Sequence, residues 1–173
     1  ELIVLNNPKG ATSESIRTLR TNLQFSISAN KAKVIMMSSS IAGEGKSFIS
    51  ANLAVTFALN NQKVLLIVCD LRKGRQHRIF DVSNKKGLSN LLVEDKPSIS
   101  SYIQKTDIDN LSVVTRGTVP PNPSELLGSI NANELIKDVR KKYDIIILDC
   151  PPVNAVTDTL DLTKLADEAV FVS

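Results

Sequence analysis

Tryptophan is absent from this chain of 173 residues, and the aromatic residues together make up only 4% of it. So little ring surface excludes a stacking platform for single-stranded nucleic acid. Only two cysteines occur, Cys69 and Cys150, each at the end of an apolar run. Free thiols in a reducing compartment are therefore expected, and a disulfide between them is the less favoured arrangement. Long apolar runs are missing as well: Val64 to Cys69 and Ile145 to Leu148 are far too short to span a bilayer. No signal-peptide pattern, internal repeat or low-complexity segment is visible. The net charge of +3 is too mild to argue by itself for a nucleic-acid or membrane partner.

What is present suits a folded core. Hydrophobic residues are 42% and charged residues 23%, and the length predicts one domain spanning residues 1–173. The chain opens at Glu1 without Met and stops at Ser173 just after an apolar run, so it reads as a C-terminally truncated piece of something longer.

The stretch that organises the rest runs from Ser38 to Ser47. Val34 to Met37 before it reads as a buried strand. After it, Ile49, Leu53 and Phe57 recur at helical spacing with Ala51, Ala54 and Ala58 between them. Strand, Gly-containing loop, Lys-Ser and helix is the layout of a phosphate-binding P-loop. Gly43 and Gly45 let the backbone wrap phosphate oxygens at a helix N-terminus, where the dipole favours an anion. Lys46 reaches the β- and γ-phosphates, and the Ser47 hydroxyl is a Mg²⁺ ligand. Ala42, Gly43, Glu44, Gly45, Lys46, Ser47 and Phe48 are the candidate nucleotide-binding residues. The strict pattern has Gly where this chain has Ser40, and a glycine-rich turn opening an ordinary helix is the bland alternative.

Elsewhere Leu2 to Leu5 reads as a short strand or extended arm, and a helix starts at Thr12 or Ser13 with the stripe Ile16, Leu19, Leu23 and Ile27. Glu14, Arg17 and Arg20 fall three apart on the side away from that stripe, a face that alone carries no function. Val64 to Val68 and Ile145 to Asp149 read as central parallel strands. Between them, Arg72 to Arg78 is a basic run expected to be a solvated loop, with His77, the only histidine, on the surface. Gly87 to Val93 and Ile99 to Gln104 read as short helices, and Leu111 to Thr115 as a strand. Asn122, Pro123 and Glu125 write a helix start. A further helix runs from about Ala132 to Lys142, another spans Asp158 to Ala166, and Ala169 to Val172 closes the chain as a strand. Alternation of strand and helix predicts an α/β fold, a doubly wound, mostly parallel sheet with helices on both faces.

Ligands of such sheets bind at the carboxyl ends of strands, where Asp70 and Asp149 lie. An apolar run followed by Asp is the Walker B arrangement, a carboxylate that holds Mg²⁺ or its waters opposite Ser47. Asp149 is the stronger candidate and Asp70 the weaker, since either acid alone would also serve as a strand-end cap. Lys46, Asp70 and Asp149 are the candidate catalytic residues, and Ser47, Asp70 and Asp149 the candidate metal ligands.

Ser39 to Ser47, then Ile67 to Arg72, then Ile145 to Pro152, together resemble the bacterial tyrosine kinases, P-loop autokinases of capsule and exopolysaccharide export related to MinD and ParA ATPases. Glu14, Arg17 and Arg20 match that family's Glu-x-x-Arg-x-x-Arg oligomerisation motif, and Val119 to Leu127 is similar to its Pro-Pro-Asn-Pro-Ser-Glu-Leu segment. The resemblance implies ATP with Mg²⁺ and transfer to tyrosines on the tail of a neighbouring subunit in a ring. It also implies a membrane adaptor, separate or fused, that activates the kinase at the inner face of the cell membrane. On that reading residues 1–30 are the N-terminal arm and oligomerisation helix, and 33–173 the nucleotide-binding core.

Departures accompany the likeness. The family's second acidic motif reads Asp-x-Asp-x-Arg, and here its first acid is Val68, which neither accepts a proton nor binds water around Mg²⁺, so impaired transfer is expected. A Tyr-rich tail is absent; the tyrosines are Tyr102 and Tyr143, and Tyr143 reads as packing. Two alternatives stand beside the kinase: a MinD/ParA-like ATPase switch, against which Ile41 occupies the signature-lysine position, and a catalytically inactive nucleotide-binding regulatory subunit.

Overall fold

The computed structural model describes residues 1–26, 33–41, 43, 45–95, 98–128, 132–152 and 166–172. β1 (Lys33–Ser39), β2 (Val64–Val68), β3 (Gln104–Lys105), β4 (Leu111–Val114), β5 (Ile145–Asp149) and β6 (Glu168–Val172) form one sheet in the spatial order β3-β4-β2-β5-β1-β6. Every neighbouring pair is parallel except β3 with β4. All residues of β1, β2 and β5 are buried, which is why Val34 to Met37, Val64 to Val68 and Ile145 to Leu148 read as continuous rather than alternating apolar runs.

Successive side chains of the central strands point to opposite faces. Ile35, Met37, Leu66, Val68 and Ile147 join one apolar cluster with α2 (Ala11–Phe25) and α3 (Lys46–Leu59). Val34, Met36, Ile67, Ile146 and Leu148 join the other, beneath α5 (Leu88–Leu91), α6 (Pro123–Gly128) and α7 (Ala132–Lys137). The doubly wound, mostly parallel sheet expected from the alternation is therefore present. α3 lies between the sheet and α2, so its residues are buried nearly all round, Ser50, Asn52 and Thr56 included.

Several expectations are corrected. Leu2 to Leu5 is no strand: Ile3–Asn6 forms a single helical turn, α1. Asn52 of α3 holds that segment, its Oδ1 accepting from Val4 N at 3.2 Å and its Nδ2 donating to the Glu1 carbonyl at 3.1 Å. These bonds satisfy the Val4 N–H and the Glu1 carbonyl without a sheet partner. The segment Ile99 to Gln104 is a 3₁₀ turn (Ile99–Tyr102) followed by β3, because Gln104 pairs with Val113 across the sheet edge. α2 begins at Ala11, and Ser13 bonds back to the Asn7 carbonyl at 2.6 Å instead of capping the helix. α7 ends at Lys137, the chain continuing to Lys142 in turns. Arg20 does not stand clear in solvent: it is half-buried, its Nη1 reaching the Thr56 carbonyl of α3 at 3.5 Å. Ile27 and nearly all of the expected helix Asp158 to Ala166 lie outside the described residues.

Candidate nucleotide-binding site

The loop between β1 and α3 sits where the sheet brings three strand ends together. Met37 and Val68 are the register partners of Asp149, on either side of it. Cys150 N donates to the Met37 carbonyl at 2.9 Å, and Ser38 Oγ to the Pro151 carbonyl at 2.9 Å, so the loop's start is tied to the end of β5. Gly43 and Gly45 hold φ of 85° and 80°, a region that side chains with a Cβ rarely adopt, which explains glycine at both positions. Around each, a Cβ would meet nothing within 4 Å, so the loop opens onto free space. Gly45 leads directly into α3, whose 14 residues direct their first N–H groups toward that space.

Three donors converge on the fully buried Asp149 carboxylate. Lys46 Nζ lies 2.5 Å from Oδ1, and Ser47 Oγ donates to Oδ2 at 3.3 Å. The third donor comes from α4 (Gln76–Ile79): Gln76 Nε2 lies 2.9 Å from Oδ2 and 3.0 Å from the Ser47 carbonyl. Gln76 escaped sequence reasoning, which treated Arg72 to Arg78 as a solvated loop. Its one signal is chemical, an uncharged amide inside a cationic run, and it is fully buried. His77, expected on the surface, is half-buried, with Nδ1 buried and unpartnered. Burial, then the Arg116 and Arg78 charges, hold its pKa below the usual 6.5.

Asp70 is placed differently. Its Oδ1 accepts from the backbone N–H groups of Arg72 at 3.3 Å and Lys73 at 3.0 Å, closing the turn after β2. No side-chain hydrogen bond links it to Lys46, Ser47 or Asp149 among the described residues. The structure thus brings Lys46, Ser47 and Asp149 together and leaves Asp70 beside them, joined through Asp70 N to the Asp149 carbonyl at 3.1 Å. Ala42 and Glu44 lie outside the described residues. Phe48 packs its ring against the apolar cluster of α3. Glu14 and Arg17 form a 4.0 Å ion pair, and with Arg20 they line a shallow groove of about 410 Å³ on α2.

Cys69 and Cys150 follow the register pair Val68 and Asp149 on adjacent strands, both buried as free thiols. The hydrogen bond with Cys69, then burial, push the Cys150 thiol well up. The expectation of free thiols is met.

A cationic rim borders the site. Residues 72–86 hold six of the 21 basic residues and one of the 18 acidic ones, a net +5 against −2 for the remainder. All six are exposed. Arg116 ties the rim to the end of β4, its Nη1 donating to the Arg72 carbonyl at 2.9 Å. Such a field concentrates polyanions at the strand ends.

The donor set fits Mg²⁺, which takes one or two carboxylates, waters and phosphate oxygens rather than a full protein cage. Among the described residues no cluster of three or more His, Cys, Asp or Glu could hold a metal. Asp149 beside Ser47 at the mouth of an open glycine loop supplies what that mode requires.

Strand, open glycine loop, Lys-Ser and a buried strand-end acid define a P-loop nucleotide-binding protein. The AAA domain family profile matches residues 32–172. The Staphylococcus aureus putative tyrosine-protein kinase CapB is 41% identical, the match covering 99% of this chain and 75% of that protein. The Bacillus subtilis tyrosine-protein kinase YwqD is 42% identical over 99% of this chain and 72% of its own length. The solved kinase domain of Escherichia coli tyrosine kinase ETK superimposes with a TM-score of 0.92 at 36% identity, covering 100% of this chain and 68% of that one. The chain belongs to the bacterial tyrosine kinases, and the family implies a nucleotide with Mg²⁺.

Proposed function

We propose that this chain is the ATP-dependent tyrosine autokinase unit of a capsule or exopolysaccharide export system, residues 33–173 forming its nucleotide core. The observation that carries the reading is the convergence of Lys46 and Ser47 on buried Asp149 beneath the open Gly43–Gly45 loop.

The backbone N–H groups of residues 42–48 would cradle the phosphates, Phe48 contributing only its backbone because its ring is packed. Lys46 would leave Asp149 for the β- and γ-phosphates. Ser47 and Asp149 would hold Mg²⁺, which supplies charge neutralisation on the transferring phosphoryl group. Asp70, committed to its turn through Oδ1, would offer Oδ2 to a metal-bound water.

Glu14, Arg17 and Arg20 would dock on a neighbouring copy, in a ring that delivers one subunit's tyrosines to the next. A membrane adaptor, separate or fused, would hold the assembly at the cytoplasmic face of the membrane. No helix among the described residues is itself long and apolar enough to cross one.

Val68 favours a second reading, a nucleotide-binding regulatory subunit without transfer, because the side chain opposite Asp149 is apolar and fully buried. Phosphotyrosine formation from Mg-ATP on a Tyr-rich peptide, with the adaptor's cytoplasmic segment present, separates the two. Transfer by this chain or by its Val68→Asp form that disappears in Lys46→Met supports the kinase; nucleotide binding without transfer from either form supports the regulatory subunit.

A further inference from the structure

Gln76 is the most deeply buried polar side chain of the basic segment, with no solvent exposure. Its amide orientation is fixed by chemistry: both atoms beside Nε2, the Ser47 carbonyl and Asp149 Oδ2, are acceptors, so the NH₂ end must face them. Oε1 therefore lies on the other side, where it is buried and accepts no hydrogen bond. Native proteins rarely leave a buried acceptor unsatisfied, and a missing water or ion is a recognised reason when they do. Across the register from Asp149, Val68 supplies only methyl groups. Val68 lies under the turn that leads to α4, where a Cβ added at Gly74 would collide with it. Gln76, two residues further on, is the one neutral polar side chain among the described residues bonded to Asp149 from outside the P-loop.

We propose that Gln76 is a positioning residue for the divalent cation of this site. Its NH₂ fixes the Asp149 carboxylate, and its Oε1 accepts a hydrogen bond from a water of the Mg²⁺ shell. The role rests on the nucleotide-binding reading above. It assigns to the segment after β2 a metal-supporting function that the apolar position 68 cannot perform. Outer-sphere partners of this kind change metal affinity by about 10- to 100-fold when removed.

The test measures binding of a fluorescent ADP analogue in EDTA and then across a Mg²⁺ titration, for the parent chain, Gln76→Leu and Gln76→Glu. Gln76→Leu removes donor and acceptor at similar size, whereas Gln76→Glu keeps acceptor oxygens and adds a negative charge. In EDTA Gln76→Leu is expected to bind within about twofold of the parent, since no phosphate contact is altered. Gln76→Glu should bind more weakly there, because its carboxylate faces Asp149 with no cation between them. Gln76→Leu should require about tenfold more Mg²⁺ for half-maximal tightening. Gln76→Glu should require the same or less. An unchanged Mg²⁺ requirement in both variants would overturn the proposal. So would equal losses in EDTA and in Mg²⁺, which mark a purely structural role. A parent chain that binds no nucleotide under either condition would instead remove the P-loop reading, and this role with it.

Discussion

Lys46 Nζ and Asp149 Oδ1 stand 2.5 Å apart where α3 meets the end of β5, both buried. The cation proposed to reach for phosphate and the acid proposed to hold the metal are thus each other's partner. On the proposed reading, binding would exchange this pair for two others, Lys46 with phosphate and Asp149 with the cation. The metal and the triphosphate are therefore expected to bind cooperatively.

Lys46→Met leaves Asp149 buried with two neutral donors. Breaking a buried pair by removing one partner costs roughly 3–5 kcal/mol, so urea unfolding should show a loss at or below the lower end of that range, softened by Ser47 and Gln76. Nucleotide triphosphate affinity should fall by about tenfold or more, the equivalent of one charge-assisted hydrogen bond.

Val68→Asp is nearly isosteric but sets a second carboxylate beside Asp149, about 4.8 Å away in the strand-to-strand direction. Two close buried acids repel unless one is protonated or a cation lies between them. The variant should melt below the parent in EDTA and recover that difference with Mg²⁺ and nucleotide. Thermal melts in the two buffers decide it.

His77 gives the stability a pH dependence of known sign. Its folded pKa is held below 6.5, so the unfolded chain binds its proton more readily. The contribution is present in full above pH 6.5 and is lost as pH falls toward the folded value. His77→Asn should flatten this part of the melting-temperature profile between pH 5 and 7, relative to the parent.

Cys69 and Cys150 are sealed in the sheet, Cys150 with its thiol pKa raised. A thiol reagent should find neither residue reactive in the native chain at neutral pH. Both should react in denaturant.

The parts of this architecture that could be read from the residues are those where one physical demand selects residue type. β2 and the first four residues of β5 announce themselves because burial on both faces selects Val, Ile and Leu without a break. Gly43, Gly45, Lys46 and Ser47 stand out because phosphate binding needs open backbone, a cation and a hydroxyl together. Leu2 to Leu5 was illegible because four apolar residues suit a strand or a helical turn equally, and the deciding contact, Asn52 with Val4, lies 48 residues away. Gln76 was hidden by its neighbours: the charge of Arg75 and Arg78 describes the exposed side of a turn whose other side enters the site. Arg20 follows the helical spacing of Glu14 and Arg17, yet its long side chain reaches back to α3, which spacing alone does not reveal.

The most direct test is phosphotyrosine formation from Mg-ATP on a Tyr-rich tail peptide, with the adaptor segment present, by this chain and by Val68→Asp side by side. Transfer by the Asp form, with little or none from the Val form, is the expected result; it would assign position 68 to the chemistry of the Asp149 site. Silence from both forms while nucleotide still binds would contradict the kinase reading and leave a nucleotide-binding regulatory subunit.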